Sequence, residues 1–444
     1  MRRLIALLGA LALSLPGASS AQTPGASDSL MNAYMRTLSD STDAWFGATV
    51  APLDTAGLDS ALAVGLANPG RRARTITVRS IALAPAVGFN RVDGARLGLS
   101  AASRFVAGTR LRTWAQWANG PNDVLGEVTI TRSWRVGTTR ARVELGATAG
   151  RTTWALHRDT YEPWLSELAA FVNGDDHEHY LRQDGWSARA RFVGPRNLAA
   201  LTWRDQLESA LTTTSTWTLF GDGPVVPQND PAATGRVREA NLTLVTTLPG
   251  TRLRMAYNQW TSSPALGSAF DYRRLRVDMG GDISIGDHLG LVSQVSYGRL
   301  HGEAIPQAAF VLGGVHSLRT LEADPESGTG AVFARSELVL VEDLRRVLRL
   351  PLPAWMPLQF GANIATGAIW DHEIGRRFRS DGRDVPDPRD WRSEAGVSLM
   401  WRTGIPDPSS RARLECSWPI GVDDRTVTWT VSYQRLLDLL PPVR

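Results

Sequence analysis

Three stretches of this 444-residue chain have residue types and spacings that could do chemistry. The first is GDDHEHY at 174–180, which sets Asp175, Asp176, His177, Glu178 and His179 side by side. Two histidines two apart suit metal ligation only on an extended segment, and no third separated ligand follows. The stretch therefore reads as a solvated acidic turn, with no metal site. The second is the set of seven histidines (His157, His177, His179, His288, His301, His316, His372), most of them in loops or turns. A serine hydrolase on an outward strand face would need one of them level with a serine, and no strand offers that pairing. The expectation is no catalytic residue, no cofactor and no enzyme. The third is FVLGGVHSLRT at 310–320, where Gly313, Gly314 and Arg319 occupy a loop between two alternating stretches. With no buried strand before it and no helix after it, it is not a phosphate cradle. Its glycines permit angles closed to other residues and so a sharp reversal of the chain.

The elements that position these residues have period two. In 139–149 one face carries Arg140, Arg142 and Glu144, and the other Ala141, Val143 and Leu145. Arg274, Arg276, Asp278 and Asp282 likewise oppose Leu275, Val277, Met279 and Ile283, and Arg411, Arg413 and Glu415 oppose Ala412, Leu414 and Cys416. Alternation of this kind marks strands. A soluble sandwich alternates too, so the connections decide. Every second linker is short and turn-like (136–139, 194–197, 248–251, 286–288), whereas those between are longer and rich in Asp, Glu, Pro and Gly. That asymmetry predicts an all-β fold, a transmembrane antiparallel β-barrel of about sixteen strands with tight periplasmic turns and long extracellular loops. Its apolar faces would meet lipid. Its lumen would be lined by Arg140, Arg142, Glu144, Arg189, Arg191, Arg252, Arg254, Arg274, Arg276, Asp278, Asp282, Arg411, Arg413 and Glu415. Trp134, Trp418, Trp429 and Tyr433 fall near strand ends, where interfacial rings are favoured.

Bulk features agree. Residues 1–21 place Arg2 and Arg3 before a short apolar run and end at Ser19-x-Ala21, an export signal rather than a spanning helix. Its removal takes two arginines and no acid, lowering the formal charge from +4 to +2, so nucleic acid is not an expected partner. One cysteine, Cys416, excludes an internal disulfide framework. Residues 22–72 read as a short periplasmic leader, helical in part, 73–437 as the barrel, and 438–444 as a tail. Residues 341–355 form a basic amphipathic segment in a periplasmic connection, either an interfacial anchor or a solvated turn.

In this frame the loop at 310–320 lies between strands eleven and twelve, outside the cell. There FVLGGVHSLRTLEADPESGTGAVFARSELVL resembles the sixth loop and following strand of the bacterial surface antigen family, which includes outer-membrane assembly factors and two-partner secretion transporters. The matching positions are Phe310, Leu312, Gly313, Gly314, Ser317, Leu318, Arg319, Gly328, Glu337 and Leu338. GANIATGAIW (361–370) and residues 395–421 are similar to the family's later strands, and FNRVDGARLGL (89–99) to an early one. The chain carries no recognisable periplasmic transport-associated repeats. The resemblance implies a loop folded back into the lumen, bent at Gly313 and Gly314 and latched by Arg319 to a carboxylate on the wall. Thr320, Leu321 and Ala365 depart from the pattern. Ala365 stands where the wall carboxylate is expected, which leaves Glu337, Asp278 or Asp282 as substitutes. The family's role implies translocation or insertion of polypeptide or lipid. Expected partners are outer-membrane lipid, a secreted or inserted polypeptide client, and the assembly machinery for the barrel's own insertion. The alternative is a passive or structural pore whose lumen arginines set a weak anion preference.

Overall fold

The computed structural model describes residues 80–435 except 106–107, 138–140, 157–162, 175, 177, 220–228, 230–231, 287, 322–324, 341, 352–357, 375–376, 379–384, 403–409 and 422–424. The signal, leader and tail expectations, Arg140, Asp175, His157 and His177 lie outside the described residues, as do the side chains of Arg411, His372 and Tyr433.

Sixteen long strands follow one another: β1 (Ser80–Asn90), β2 (Gly94–Arg104), β3 (Thr109–Ala118), β4 (Asp123–Arg135), β5 (Arg142–Ala155), β6 (Tyr180–Val193), β7 (Asn197–Ala210), β8 (Gly235–Thr247), β9 (Arg254–Ser262), β10 (Tyr272–Ile285), β11 (Leu289–Gly302), β13 (Glu326–Leu340), β14 (Leu358–Ile374), β16 (Trp391–Arg402), β17 (Ser410–Ile420) and β18 (Thr428–Arg435). Two short strands join them, β12 (Phe310–Leu312) on β13 and β15 (Arg377–Phe378) on β14. Each long strand pairs antiparallel with the next. Among the described residues no ladder joins β1 to β18.

Between β4 and β13 the connections alternate in length as expected, whereas 91–93 and 119–122 on the long-loop rim are tight turns. One rim carries 105–108, 136–141, 194–196, 248–253 and 286–288, and the other carries 156–179, 211–234, 303–325 and 375–390. A short helix, α1 (Pro163–Asn173), lies in the first of these long loops. The exception on the short-turn rim is 341–357, which holds the one-turn helix α2 (Leu344–Val347).

Burial is inverted relative to a soluble protein. Leu83, Leu97, Leu99, Val128, Ile130, Leu145, Leu201 and Ile364 are exposed, while Arg191, Glu208, Asp278, Glu337, Glu394, Arg413 and Glu415, on the opposite face of their strands, are buried. Strands in hydrocarbon must satisfy their backbone through neighbouring strands and place polar side chains inward. Trp134 on the short-turn rim and Trp117, Trp391, Trp418 and Trp429 toward the long-loop rim stand exposed where interfacial aromatics belong. No helix among the described residues is long and apolar enough to cross a membrane. The chain is an outer-membrane β-barrel.

Ionising this outer face should destabilise the inserted barrel. Leu99→Arg or Val128→Arg is expected to cost about 2–4 kcal/mol if the site lies near the bilayer midplane, whereas Leu99→Val stays near neutral. Equilibrium folding into detergent-free liposomes measures both.

Candidate functional site

The loop 303–325 turns into the barrel instead of away from it. Phe310, Leu312, Leu318 and Leu321 are buried and share one apolar cluster with the wall residues Trp260, Tyr272, Phe333, Ala365 and Ile369. A Cβ at Gly298 on β11 would lie 2.3 Å from the Phe310 ring, so only glycine leaves room for that ring against the strand. The reversal occurs at Gly313 and Gly314, with φ of 144° and 90°. A Cβ at Gly313 would also meet the Leu321 carbonyl at 2.7 Å. Ser317 locks the turn: its hydroxyl accepts from the Gly313 N–H and donates to the Gly313 carbonyl, each at 2.8 Å.

Beyond the turn, Arg319 is 1% exposed. Its guanidinium pairs with Glu415 on β17 and donates to the Val315 carbonyl at 3.1 Å. The backbone N–H groups of Arg319 and Thr320 donate to the two oxygens of Glu394 on β16, at 3.1 and 2.9 Å. The expected substitutes, Glu337, Asp278 and Asp282, are therefore not what Arg319 meets. Glu337 pairs with Arg413 at 2.8 Å, Asp278 with Arg276 at 3.0 Å, and Asp282 with Arg252 at 2.7 Å. The reason lies in the register. Ala365 on β14 stands directly opposite Glu394 on β16 and packs in the apolar cluster with the loop leucines, so the loop's N–H groups meet a carboxylate on β16 and its guanidinium one on β17.

Around Glu415 the network closes on itself. Arg335 donates to both its oxygens at 2.9 Å, Arg413 Nε at 2.6 Å, Asn363 at 3.2 Å and Ser417 at 3.0 Å. Three guanidinium groups (Arg319, Arg335, Arg413) thus face three carboxylates (Glu337, Glu394, Glu415), the balance that buried charge requires. Thr320 extends it. Its hydroxyl donates to Glu394 at 2.9 Å and accepts from Arg425, in the 421–427 loop, at 2.8 Å, while Arg425 also donates to the Ser393 carbonyl at 3.1 Å. A glycine at 320 would offer neither bond.

Other expected lumen residues divide by depth. Glu144 binds Arg142 and Arg191, each at 2.9 Å, and Arg274 is buried with its guanidinium 4.4 Å from the Phe310 ring centre. Arg189 and Arg254 are half-buried on the inward face. Arg252, in the 248–253 turn, is exposed, and its partner Asp282, near the end of β10, is half-buried, so this pair lies at the short-turn rim. A second correction concerns 174–180. Asp176 and Glu178 are buried, not solvated: Asp176 accepts from the Arg91 N–H at 3.0 Å and the Tyr180 hydroxyl at 3.0 Å, and the Glu178 carbonyl takes Arg91 Nη2 at 2.5 Å. They hold the β1–β2 turn, whose Asp93 accepts from Arg182 at 3.2 Å and Thr153 at 2.9 Å. Among the described residues no group of three or more His, Cys, Asp and Glu is placed to hold a metal ion.

Glu394, Arg335 and Arg425 were not singled out by sequence reasoning. Glu394 and Arg335 carried an available signal, being charged residues at inward positions of alternating strands; Arg425 sits in a loop and carried none. Glu415→Gln is expected to leave three guanidinium groups against two carboxylates and to destabilise by about 3–5 kcal/mol, read as a lowered urea midpoint in liposomes. Thr320→Val, which keeps the shape and removes the hydroxyl, should cost only about 1–3 kcal/mol in the same measurement.

No family model matches the chain, and no curated protein matches it. Among solved structures, BamA from Haemophilus ducreyi lacking POTRA domains 1–3 is similar over 80% of this chain and 70% of its own, at 11% identity and a TM-score of 0.49. CdiB from Acinetobacter baumannii is similar over 80% of this chain and 58% of its own, at 11% identity and a TM-score of 0.41. Pseudomonas aeruginosa OccK11 (OpdR) covers 83% of its own length against 80% of this chain, at 10% identity and a TM-score of 0.36. The chain spans less than two thirds of the CdiB length.

Proposed function

We propose that this barrel moves or inserts polypeptide or lipid at the outer membrane, through a lumen closed at rest by the 303–325 loop and opened when that loop leaves its latch. The observation that supports the reading most is the seating of Arg319, whose side chain and N–H bind carboxylates on two separate strands, Glu415 and Glu394. A loop bound inside the lumen to two strands of the wall supports a closed resting state over a constitutively open pore. The polypeptide client and the assembly machinery that inserts the barrel are the partners of this reading, outer-membrane lipid is its solvent, and the protein carries out no covalent chemistry.

A second reading, the passive pore, is favoured by one feature. A cavity of about 80 Å³ remains between the loop and the β10–β11 wall, lined by Arg274, Arg276, Gln294, Ser296 and His316. It has room for a few waters, and its arginines would favour anions.

Planar-bilayer recording separates the two. The plug predicts rare, noisy openings that become frequent and large in Arg319→Ala. A steady, weakly anion-selective conductance indifferent to that substitution would establish the passive pore instead. The client is tested by a photoreactive side chain at position 316 in living cells: cross-links to polypeptide support translocation or insertion, and an absence of polypeptide adducts removes that half of the proposal.

A further inference from the structure

The segment 342–350 is the one long departure from tight turns on the short-turn rim among the described connections, and the plug makes no use of it. It is built rigidly. Asp343 caps α2 by accepting from the Arg345 N–H at 3.1 Å, and its carboxylate also accepts from the Leu358 N–H at 3.0 Å, which ties the helix to the first residue of β14. At the other end the Leu350 N–H donates to the Arg345 carbonyl at 2.9 Å, a helix stop that places Arg349 at φ 51°. That position usually belongs to glycine, and a side chain there carries a cost of about 1–2 kcal/mol. Strain of this kind calls for a use of the side chain.

What the segment presents is amphipathic. Val347 and Leu348 are 54% and 60% exposed, between Arg346 and Arg349, which are exposed too. The acids nearby are occupied: Asp343 takes Arg345 at 3.2 Å and Arg346 at 3.7 Å, and Glu342 takes His288 at 2.5 Å. Three arginines against two acids leave the segment cationic. Its place is the rim from which β13 and β14 carry Leu338, Phe360 and Ile364 outward into lipid.

We infer that residues 346–349 are an interfacial anchor for the phosphate headgroups of the periplasmic leaflet, with Val347 and Leu348 dipping into the acyl boundary and Arg346 and Arg349 binding anionic phospholipid. Apolar residues flanked by cations are the composition that lies in a membrane interface, and a basic group near an anionic surface gains about 1 kcal/mol. The occupant follows from charge and position together: the neighbouring surface at that height is lipid, and it is negative.

The test uses the full barrel in vesicles of phosphatidylcholine with phosphatidylglycerol. In a Cys416→Ala background, a fluorophore is attached after Leu348→Cys, or after Arg196→Cys in the exposed 194–196 turn as the aqueous control. Lipids carrying a nitroxide high on the acyl chain should quench position 348 about twofold more than position 196. Omitting phosphatidylglycerol, or introducing Arg346→Glu with Arg349→Glu, should remove most of that excess. Iodide quenching at 348 equal to that at 196 would overturn the inference in favour of a solvated turn. Shielding from both quenchers would overturn it in favour of contact with protein, and lipid quenching indifferent to charge would overturn the headgroup assignment.

Discussion

A peptide group in hydrocarbon must find its hydrogen-bond partner within the protein, and everything else in this molecule follows from that constraint. Sixteen long strands meet it by pairing edge to edge, which turns the apolar face of each strand outward and leaves the interior as the one place for ionised side chains. The interior then becomes an electrostatic problem. Arg319, Arg335 and Arg413 are each almost fully buried, and each is bearable only because Glu337, Glu394 and Glu415 stand within reach. Charges removed from water without partners would cost more than the rest of the fold could offset.

The inserted loop is part of that balance rather than an addition to it. Glu415 receives Arg319 from the loop as well as Arg335 and Arg413 from the wall, so removing the loop takes one cation from a carboxylate that would retain two. Glu394, by contrast, has the loop's N–H groups and the Thr320 hydroxyl as its described donors. Displacing the loop therefore leaves β16 with a buried carboxylate to rehydrate. These contacts favour the seated position of the loop. Apolar packing adds to it through Phe310, Leu312, Leu318 and Leu321, and Thr320 with Arg425 fastens the loop to the last hairpin. The long loop 156–179 and strand β6 hold the β1–β2 turn in the same way, through Asp176 to Arg91 and Arg182 to Asp93.

The departures at Thr320, Leu321 and Ala365 belong together on this view. Ala365 and Leu321 occupy apolar positions in one cluster, and the carboxylate missing from β14 is found on β16 directly across the ladder. Thr320 supplies a hydroxyl between Glu394 and Arg425. A motif read position by position registers three losses. In the folded chain the Arg319 guanidinium meets Glu415 on β17, and Glu394 on β16 takes the loop's N–H groups and the Thr320 hydroxyl.

The strands, their number, the two unequal rims and the inward face were legible in the amino-acid order, because a period of two and the length of a connection are local properties. So were the bend at Gly313 and Gly314 and the need of Arg319 for an acceptor. Which carboxylate would answer it was not legible. Glu394 and Glu415 lie 75 and 96 residues beyond Arg319, and their depth relative to the loop is set by strand stagger, which no local pattern records. The acidic run at 174–180 misled for the same reason: its composition suits solvent, but Arg91 reaches it only after two distant segments have met at the mouth of the barrel. Alternation decided which way each side chain points; tertiary structure alone decided which side chains stand at the same height.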